Sequence, residues 1–477
     1  LLIEQIKSNF KTLLENISKN PERKISEIPF LNEEERNKIL FDWNDTKAEY
    51  DLNIPVHKLF EEQVLRTPDS IAIEFEDQKL SYKELDEKAN SLANYLIKSG
   101  IKTDSIVGIC IDRSLEMMIG LLGILKAGGA YVPIDPSYPQ DRIDYMIEDS
   151  QAKLILTTGN LSGVIEKHNS KVIFLDDKSH AAYNESKESP VVNVLPENLV
   201  YMIYTSGSTG NPKGVMNIHK GLSNQIQWIR DYLKCTPDDI VLQKTSFSFD
   251  VSTFELFMPL ICGAKLVFAI PDGHKNNAYL INVVTEKKIT IIHFVTSMLS
   301  LFLEESNIDQ CKTLRLFVSS GEEVTIPVQK LFFEKFPHLE LHDLYGPTET
   351  SVHVTYWKCD KNTELNTVPI GKPVANTQAY ILDSYNNPVP VGIAGELHIG
   401  GDQVAKGYFN RPELTDEKFI PDPFLKKDGA KLYKTGDLVR FFSDGNIEYL
   451  GRKDNQIKLR GFRIELGEIE NRIREIK

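Results

Sequence analysis

The 477-residue sequence holds only five cysteines, Cys110, Cys235, Cys262, Cys311 and Cys359, and no two of them stand in a CxxC pair. Scattered and odd in number, they exclude a disulfide framework and give no zinc-site spacing. They fit a reducing, cytoplasmic setting. Long apolar runs are lacking too: the longest, 117–125, lies between Glu116 and Lys126 and is too short to span a bilayer. There is no excess of basic charge. With 55 Lys and Arg against 68 Asp and Glu, the formal charge of −13 argues against nucleic acid or an anionic membrane as partner, though a local basic site can still hold phosphate. Neither a signal peptide nor an initiator Met is present, and the chain opens at Leu1 inside an amphipathic pattern, so a piece cut from a longer protein is expected. Internal repeats and low-complexity tracts are missing as well. What remains is a globular composition, 41% hydrophobic and 26% charged, in a chain long enough for two or more subdomains.

Residues 1–24 carry helical spacing (Leu2, Ile6, Phe10, Leu13, Leu14, Ile17) that stops at Asn20-Pro21, and 25–56 is polar and Pro-punctuated like a connector. From about 57 the pattern alternates strand and helix. A strand over 70–75 leads to the capping box Ser81-x-x-Glu84, which opens a helix with Leu85, Ala89, Leu92 and Leu96 on one face and Gly100 at its end. A strand over 105–110, a helix over 114–126 and a strand over 131–135 continue the rhythm, and 153–176 holds two more strands. This predicts an α/β fold with a mostly parallel, doubly wound sheet up to about 345. After about 370, short strands and tight turns predict a β-rich module. Its clearest element is a hairpin, 438–442 and 446–450, joined at Ser443-Asp444-Gly445.

Three stretches carry chemistry. Tyr204-Thr205-Ser206-Gly207-Ser208-Thr209-Gly210-Asn211-Pro212-Lys213-Gly214 follows the apolar strand pattern 199–204, at the end of a strand, where ligands bind in such sheets. Glycines admit positive φ and close approach, the hydroxyls and amides are donors, and Lys213 adds a cation with no acid beside it. That describes a phosphate grip, with an ordinary polar turn as the alternative. It is not a Walker loop, since Pro212 stands where glycine is needed and no Ser or Thr follows Lys213. In Asp343-Leu344-Tyr345-Gly346-Pro347-Thr348-Glu349-Thr350, a fixed turn could present the flat ring of Tyr345. Thr348 and Glu349 suit phosphate and Mg²⁺, although a purely structural turn fits equally. In Tyr433-Lys434-Thr435-Gly436-Asp437 and Gly451-Arg452-Lys453-Asp454, Asp437 could accept both hydroxyls of a ribose, or be no more than an exposed turn residue.

Together and in this order the motifs resemble the adenylate-forming superfamily, specifically adenylation domains of non-ribosomal peptide synthetases. The resemblance runs from about 50 to the C-terminus. It includes the stretches 80–85, 125–135, 249–252 and 395–400, besides the three above, and ends in Gly451-Arg-Lys-Asp-Asn-Gln-Ile-Lys-Leu-Arg-Gly-Phe-Arg-Ile-Glu465. It implies two doubly wound α/β subdomains plus a β-rich, barrel-like one in a large core, 46–453. Residues 1–45 would be the end of a condensation domain and its linker, and 454–477 a hinge at Asp454 and the start of a truncated C-terminal lid. The lysine that this lid carries in the family would lie beyond Lys477, so weak adenylation by the fragment is expected. The implied reaction joins an amino-acid carboxylate to the α-phosphate of ATP with Mg²⁺, releases pyrophosphate, and passes the aminoacyl group to phosphopantetheine on a downstream peptidyl carrier domain.

Roles carry over by position. Thr205, Ser206, Gly207, Ser208, Thr209, Gly210 and Lys213 would hold the β,γ-phosphates; Tyr345 would stack adenine beside Asp343, which replaces the usual Asn. Thr348 would contact the α-phosphate, Glu349 would ligate Mg²⁺, and Asp437 with Arg452 would hold the ribose. Asp250 would pair with the substrate α-ammonium, its alternative being a helix-capping Asp. The pocket by the same mapping is Asp250, Val251, Phe254, His293, Val318, Ser320, Leu344, Val352 and His353. It holds two imidazoles and one hydroxyl and no second carboxylate, which disfavours a cationic side chain. The set is similar to serine-selecting pockets, while His353 stands where Asp is usual and is similar to threonine-selecting ones, so L-serine is expected first and L-threonine second. Two other classes stay open: an acyl-CoA synthetase of the same superfamily, which Asp250 opposes, and a non-catalytic nucleotide-binding module, which Lys213, Glu349 and Asp437 oppose.

Overall fold

The computed structural model describes residues 2–165, 168–207, 211–425 and 427–475. The strand–helix alternation builds two sheets. One has seven strands in the order Gly407–Tyr408, Lys213–Ile218, Leu199–Thr205, Ala130–Ile134, Ile106–Cys110, Leu154–Thr157 and Lys171–Phe174. The five from Leu199–Thr205 onward are parallel. The other has nine, with Glu340–Tyr345, Leu316–Ser320, Ile291–Phe294, Ile240–Gln243, Lys265–Phe268 and Ile71–Phe75 forming its parallel centre.

Five helices fill the space between the two sheets: Val56–Arg66, Tyr82–Lys98, Leu115–Lys126, His219–Tyr232 and Ser252–Cys262. One core cluster joins Ile109, Tyr131 and Ile203 of the first sheet with Val241, Leu266 and Val318 of the second. A helix covered on both sides needs apolar residues all round, which is why Leu115–Lys126 buries every residue except Glu116. At its end Lys126, with 0% of its side chain exposed, places Nζ 2.6 Å from Glu61 and 2.7 Å from Asp86. Those carboxylates come from the two neighbouring helices, so one buried cation ties three helices together.

The glycine loop was expected to follow a strand, and it does, but the next element is an antiparallel strand. Leu199–Thr205 and Lys213–Ile218 form a hairpin in which Thr205 faces Lys213. Ser208, Thr209 and Gly210, expected phosphate binders, lie outside the described residues. The stretch 25–56 is more than a connector. Asn32 caps a helix, Glu33–Leu40, by accepting from Glu35 N at 2.7 Å. Leu31, Ile39 and Leu40 then pack with Ile381, Leu397 and Val439 of the β-rich part. Asn44 exchanges hydrogen bonds with both backbone groups of Ala379, at 2.8 and 3.1 Å. Packing is therefore continuous across 45–46.

The β-rich part is an antiparallel sheet, Thr377–Leu382, Gly395–Gly401, Lys431–Phe441 and Phe419–Pro421, with Ile447–Arg452 on the far side of Lys431–Phe441 as the predicted hairpin. Beyond the hinge position, Gln456–Leu459 pairs with Phe462–Glu465 in a small hairpin that leads into the helix Leu466–Glu475. Among the described residues no helix is long and apolar enough to cross a membrane.

Removing the Lys126 ammonium leaves two carboxylates unpaired between helices. Lys126→Ala is expected to lower unfolding stability by about 3–5 kcal/mol, read from urea midpoints; a loss below about 1 kcal/mol would show that the cluster is not what joins the helices.

Candidate active site

A cavity of about 1190 Å³ opens where the two sheets, the β-rich part and the C-terminal hairpin meet. Of the residues expected from the sequence, Thr205, Ser206, Asp250, Val251, His293, Ser320, Tyr345, Thr348, Val352, His353, Asp437 and Arg452 line it. Gly207, Lys213, Phe254, Val318, Asp343, Leu344, Glu349 and Asp454 do not; apart from Asp454, these are buried behind the wall.

Asp250 is the buried charge at the centre. It precedes the helix Ser252–Cys262, and its backbone carbonyl accepts from Thr253 N at 2.9 Å, while its side chain caps nothing there. The carboxylate takes the Thr348 hydroxyl and the Val251 amide, and Oδ2 has no partner among the described residues. Burial, eased by those two donors and by the charge of Lys458, lifts its pKa to about 6. A buried carboxylate oxygen with no partner, facing a cavity, is a receptor for a ligand cation.

Beside it, His293 shares a hydrogen bond of 2.9 Å with Ser320 through Nε2 and one of 3.2 Å with Thr245 through Nδ1. Glu255, fully buried, lies 3.6 Å from Nδ1 and accepts from Gln243, Lys244 and Thr245. His353 Nδ1 accepts from Gln225 Nε2 at 2.8 Å, which leaves the proton on Nε2, and that N–H is buried without a partner among the described residues. Burial keeps both imidazoles neutral by pushing their pKa values down. Phe254 packs against both rings from behind, with centroids 5.6 and 5.8 Å away. Val318 and Leu344 belong to the core beneath. The backbone is strained at this wall: Val352, a β-branched residue, sits at φ 80°. Gly346 allows the approach, because a Cβ there would lie 1.7 Å from the Val352 carbonyl oxygen.

The residues expected to hold nucleotide are brought together but engaged with one another. Tyr345 donates its hydroxyl to Asp437, and Arg452 Nη1 donates to the other Asp437 oxygen at 2.9 Å. Asp454, the hinge candidate, is clamped by Arg452 at 2.7 and 2.6 Å. Lys458 of the small hairpin places Nζ 5.4 Å from the centre of the Tyr345 ring, on the space expected for adenine. Ser206 Oγ donates to the Arg463 carbonyl at 2.9 Å, whereas the Thr205 hydroxyl is buried without a partner among the described residues.

Glu349 and Lys213 differ from expectation. Arg463 Nη1 reaches both Glu349 oxygens at 3.1 and 3.0 Å, and Tyr408 donates to Oε1 at 2.8 Å. Burial alone would raise the Glu349 pKa, but the charges of Arg463 and Lys213 outweigh it and hold the carboxyl at about 2. Among the described residues no group of three or more His, Cys, Asp or Glu side chains could hold a metal ion. As arranged here Glu349 does not fit Mg²⁺, because a cation already occupies it. Lys213 donates to Tyr408 at 3.3 Å and lies 4.4 Å from the centre of its ring, with desolvation lowering its pKa to about 8. It braces the wall of the cavity rather than facing into it. Arg463, Tyr408 and Gln225 were not singled out from the sequence. Arg463 was visible only as one letter of the 451–465 motif, and the other two carry no local signal.

Asp343 lies under the Tyr345 turn, 3% exposed. Burial and the nearby Glu323 raise its pKa to about 8, so at neutral pH it keeps a proton and can donate as well as accept, as an amide would.

A family model described as AMP-binding enzyme matches residues 60–409. The chain is 43% identical over 469 residues to tyrocidine synthase 3 of Brevibacillus parabrevis, covering 98% of this chain and 7% of that protein. It is 44% identical over 475 residues to bacitracin synthase 3 of Bacillus licheniformis, covering 99% and 7%. It thus spans less than a tenth of the length of these two curated relatives. Among solved structures, the non-ribosomal peptide synthetase FmoA3 in its alpha-methyl-L-serine-AMP bound form superposes with a TM-score of 0.86 at 29% identity, over 94% of this chain and 51% of that one. Holo-AB3403, a four-domain non-ribosomal peptide synthetase bound to AMP and glycine, gives 0.82 at 31% identity, over 99% and 35%.

A carboxyl whose pKa is raised in the folded state binds more protons folded than unfolded. Its contribution therefore weakens stability as pH climbs from near 3.8 to about 8. Asp343→Asn is expected to raise the urea midpoint at pH 8 and leave it nearly unchanged at pH 4; equal shifts at both pH values would refute a protonated Asp343.

Proposed function

The chain belongs to the AMP-binding enzyme family, and from that premise we propose that it activates a small hydroxylated L-amino acid, L-serine first and L-threonine second. The amino-acid carboxylate attacks the α-phosphorus of ATP, an aminoacyl adenylate forms, and pyrophosphate leaves. The observation that carries this reading is the unpartnered Oδ2 of buried Asp250. An amino acid brings the missing ammonium. Fatty and aryl acids do not, which speaks against an acyl-CoA synthetase.

Each remaining role follows from position. The neutral His353 Nε2–H is a donor for a side-chain hydroxyl oxygen, and the His293–Ser320 pair offers a second polar contact. The nine pocket residues mapped from the sequence include no carboxylate besides Asp250, which disfavours lysine or arginine as substrate. The Tyr345 ring, Asp437 and Arg452 are the surface for the nucleoside, and Thr205, Ser206 and Gly207 the donors for the leaving phosphates. Thr348 donates to Asp250 and lines the same cavity, so one hydroxyl sits between the amino-acid end and the nucleotide end. Attack on phosphorus asks for alignment and charge neutralisation more than proton transfer, and these residues supply alignment. The serine-like adenylate bound by FmoA3 supports the choice of a small hydroxylated substrate. The great length of the relatives supports a place within a larger synthetase, in which an upstream condensation domain and a downstream carrier thiol on phosphopantetheine would use the product.

Amino-acid-dependent ATP–pyrophosphate exchange across the twenty amino acids is expected to be strongest for serine, with threonine next; strongest exchange with a bulky aromatic would overturn the pocket assignment. Asp250→Ala is expected to weaken apparent amino-acid affinity ten-fold or more, since a charge-assisted bond contributes roughly 1.5–3 kcal/mol. Because Asp250 must be ionised to hold an ammonium, affinity should fall by about ten-fold per pH unit below its pKa of about 6. His353→Leu should shrink the preference for serine over alanine by roughly three- to ten-fold, the contribution of one neutral hydrogen bond; an unchanged ratio would remove His353 from the reading.

A further inference from the structure

The five cysteines fall into two kinds. Cys110, Cys311 and Cys359 are buried singly, and burial pushes their thiols up, the first two to about 12. Cys235 and Cys262 are half-buried, and their sulfurs lie 3.0 Å apart, closer than two non-bonded sulfurs rest without a hydrogen bond between them. They are 27 residues apart in sequence and in no recognisable motif.

The surrounding backbone holds both in place. Cys235 follows the end of the helix His219–Tyr232, and its amide closes on the Arg230 carbonyl at 2.9 Å. Cys262 is the last residue of the helix Ser252–Cys262, which Gly263 ends at φ 84°. The Tyr82 hydroxyl donates to the carbonyls of Pro259 and Ala264 at 3.2 and 2.7 Å, which fixes the turn after Cys262. Closing the sulfurs to a bond of about 2.05 Å therefore asks for a movement of about 1 Å, within the reach of side-chain rotation. The two thiols are also unequal. As a thiol Cys262 donates to Cys235; once it has lost its proton, the Cys235 thiol, the Ala264 amide and the Arg230 charge favour the thiolate there, while the same contact pushes Cys235 up. An attacking thiolate beside a resolving thiol is the arrangement that makes a disulfide.

We propose that Cys235 and Cys262 form a reversible dithiol–disulfide site that takes a two-electron oxidant, a peroxide or a small-molecule disulfide, and joins the C-terminal ends of these two helices. With hydrogen peroxide, the Cys262 thiolate attacks one oxygen and the O–O bond breaks, giving a sulfenic acid and, after protonation, water. The Cys235 sulfur then displaces the sulfenic hydroxyl as a second water. Two thiols lose two protons and two electrons, and one peroxide becomes two waters. The helix that is tied down is the one that Asp250 and Val251 lead into and that carries Phe254.

The test is thiol titration of the full chain under denaturing conditions, before and after brief treatment with peroxide or oxidised glutathione, with peptide mapping by mass spectrometry. The expected result is a fall from five titratable thiols to three, a single linked peptide pair containing Cys235 and Cys262, and full recovery with dithiothreitol. Cys262→Ser should keep all four remaining thiols under the same treatment, whereas Cys235→Ser should form no linked peptide pair and lose only the Cys262 thiol, as a sulfenic acid with peroxide or a mixed disulfide with glutathione. Persistence of five thiols in the unsubstituted chain, linkage through Cys110, Cys311 or Cys359, or bridging only between two chains would each overturn the proposal.

Discussion

An ionisable group taken out of water without its counter-charge is the constraint on which the candidate site depends. Asp250 lies among the fully buried rings of Tyr131 and Tyr201, with one hydroxyl and one amide donor for a whole carboxylate. A fold tolerates that only if the surroundings are rigid, and here they are. The Tyr345–Thr348 turn approaches so closely that Gly346 has no room for a side chain, and Val352 is held in a left-handed conformation next to His353. Strain and an unmatched charge fall on the same few residues, the usual mark of a site kept for a ligand at the expense of the empty fold.

Those residues can be held because the layers behind them are over-determined. The helix Ser252–Cys262, which follows Asp250, packs in the interior layer that both sheets cover. The Lys126–Glu61–Asp86 cluster joins three of that layer's five helices. The arrangement puts the ends of strands from both sheets, Thr205 of one and Tyr345 of the other, on one cavity.

Much of this was legible in the sequence, for reasons that differ by element. Alternation of period 2 and period 3.6 gave several parallel strands and their helices nearly residue for residue, as in 105–110 and 114–126, because burial on both faces leaves a strong local pattern. The hairpin after Thr205 was not legible: whether a strand is followed by a helix or by an antiparallel return depends on a turn whose glycines suit both. The packing of 31–48 escaped because Leu31, Ile39 and Leu40 are too few and too widely spaced to form a period. In the site, the motif residues were found and most line one cavity. Their partners were not, since Gln225 meets His353 across 128 positions and Tyr408 meets Glu349 across 59. A partner that far away in the chain leaves no spacing to read.

Three buried carboxylates show how neighbours, rather than burial, decide chemistry. Desolvation is the largest influence on all three and pushes each upward. Glu349 nevertheless ends at about 2, because Arg463 and Lys213 stand beside it; Asp250, with two donors and only the weaker pull of Lys458, stops at about 6; Asp343, facing another acid in Glu323, reaches about 8. The first is an anion already answered by the chain, the second an anion waiting for a ligand, the third a neutral acid able to act as a donor. The small hairpin produces the first of these states, since Arg463 belongs to its strand Phe462–Glu465, and the same hairpin sets Lys458 over Tyr345. It therefore pairs Glu349 directly with a cation and leaves Asp250 Oδ2 without a hydrogen-bond partner among the described residues. The hairpin 456–465 thus engages the Tyr345 ring through Lys458, the Ser206 hydroxyl through the Arg463 carbonyl and Glu349 through the Arg463 guanidinium, while Asp250 Oδ2 is the carboxylate oxygen it does not reach.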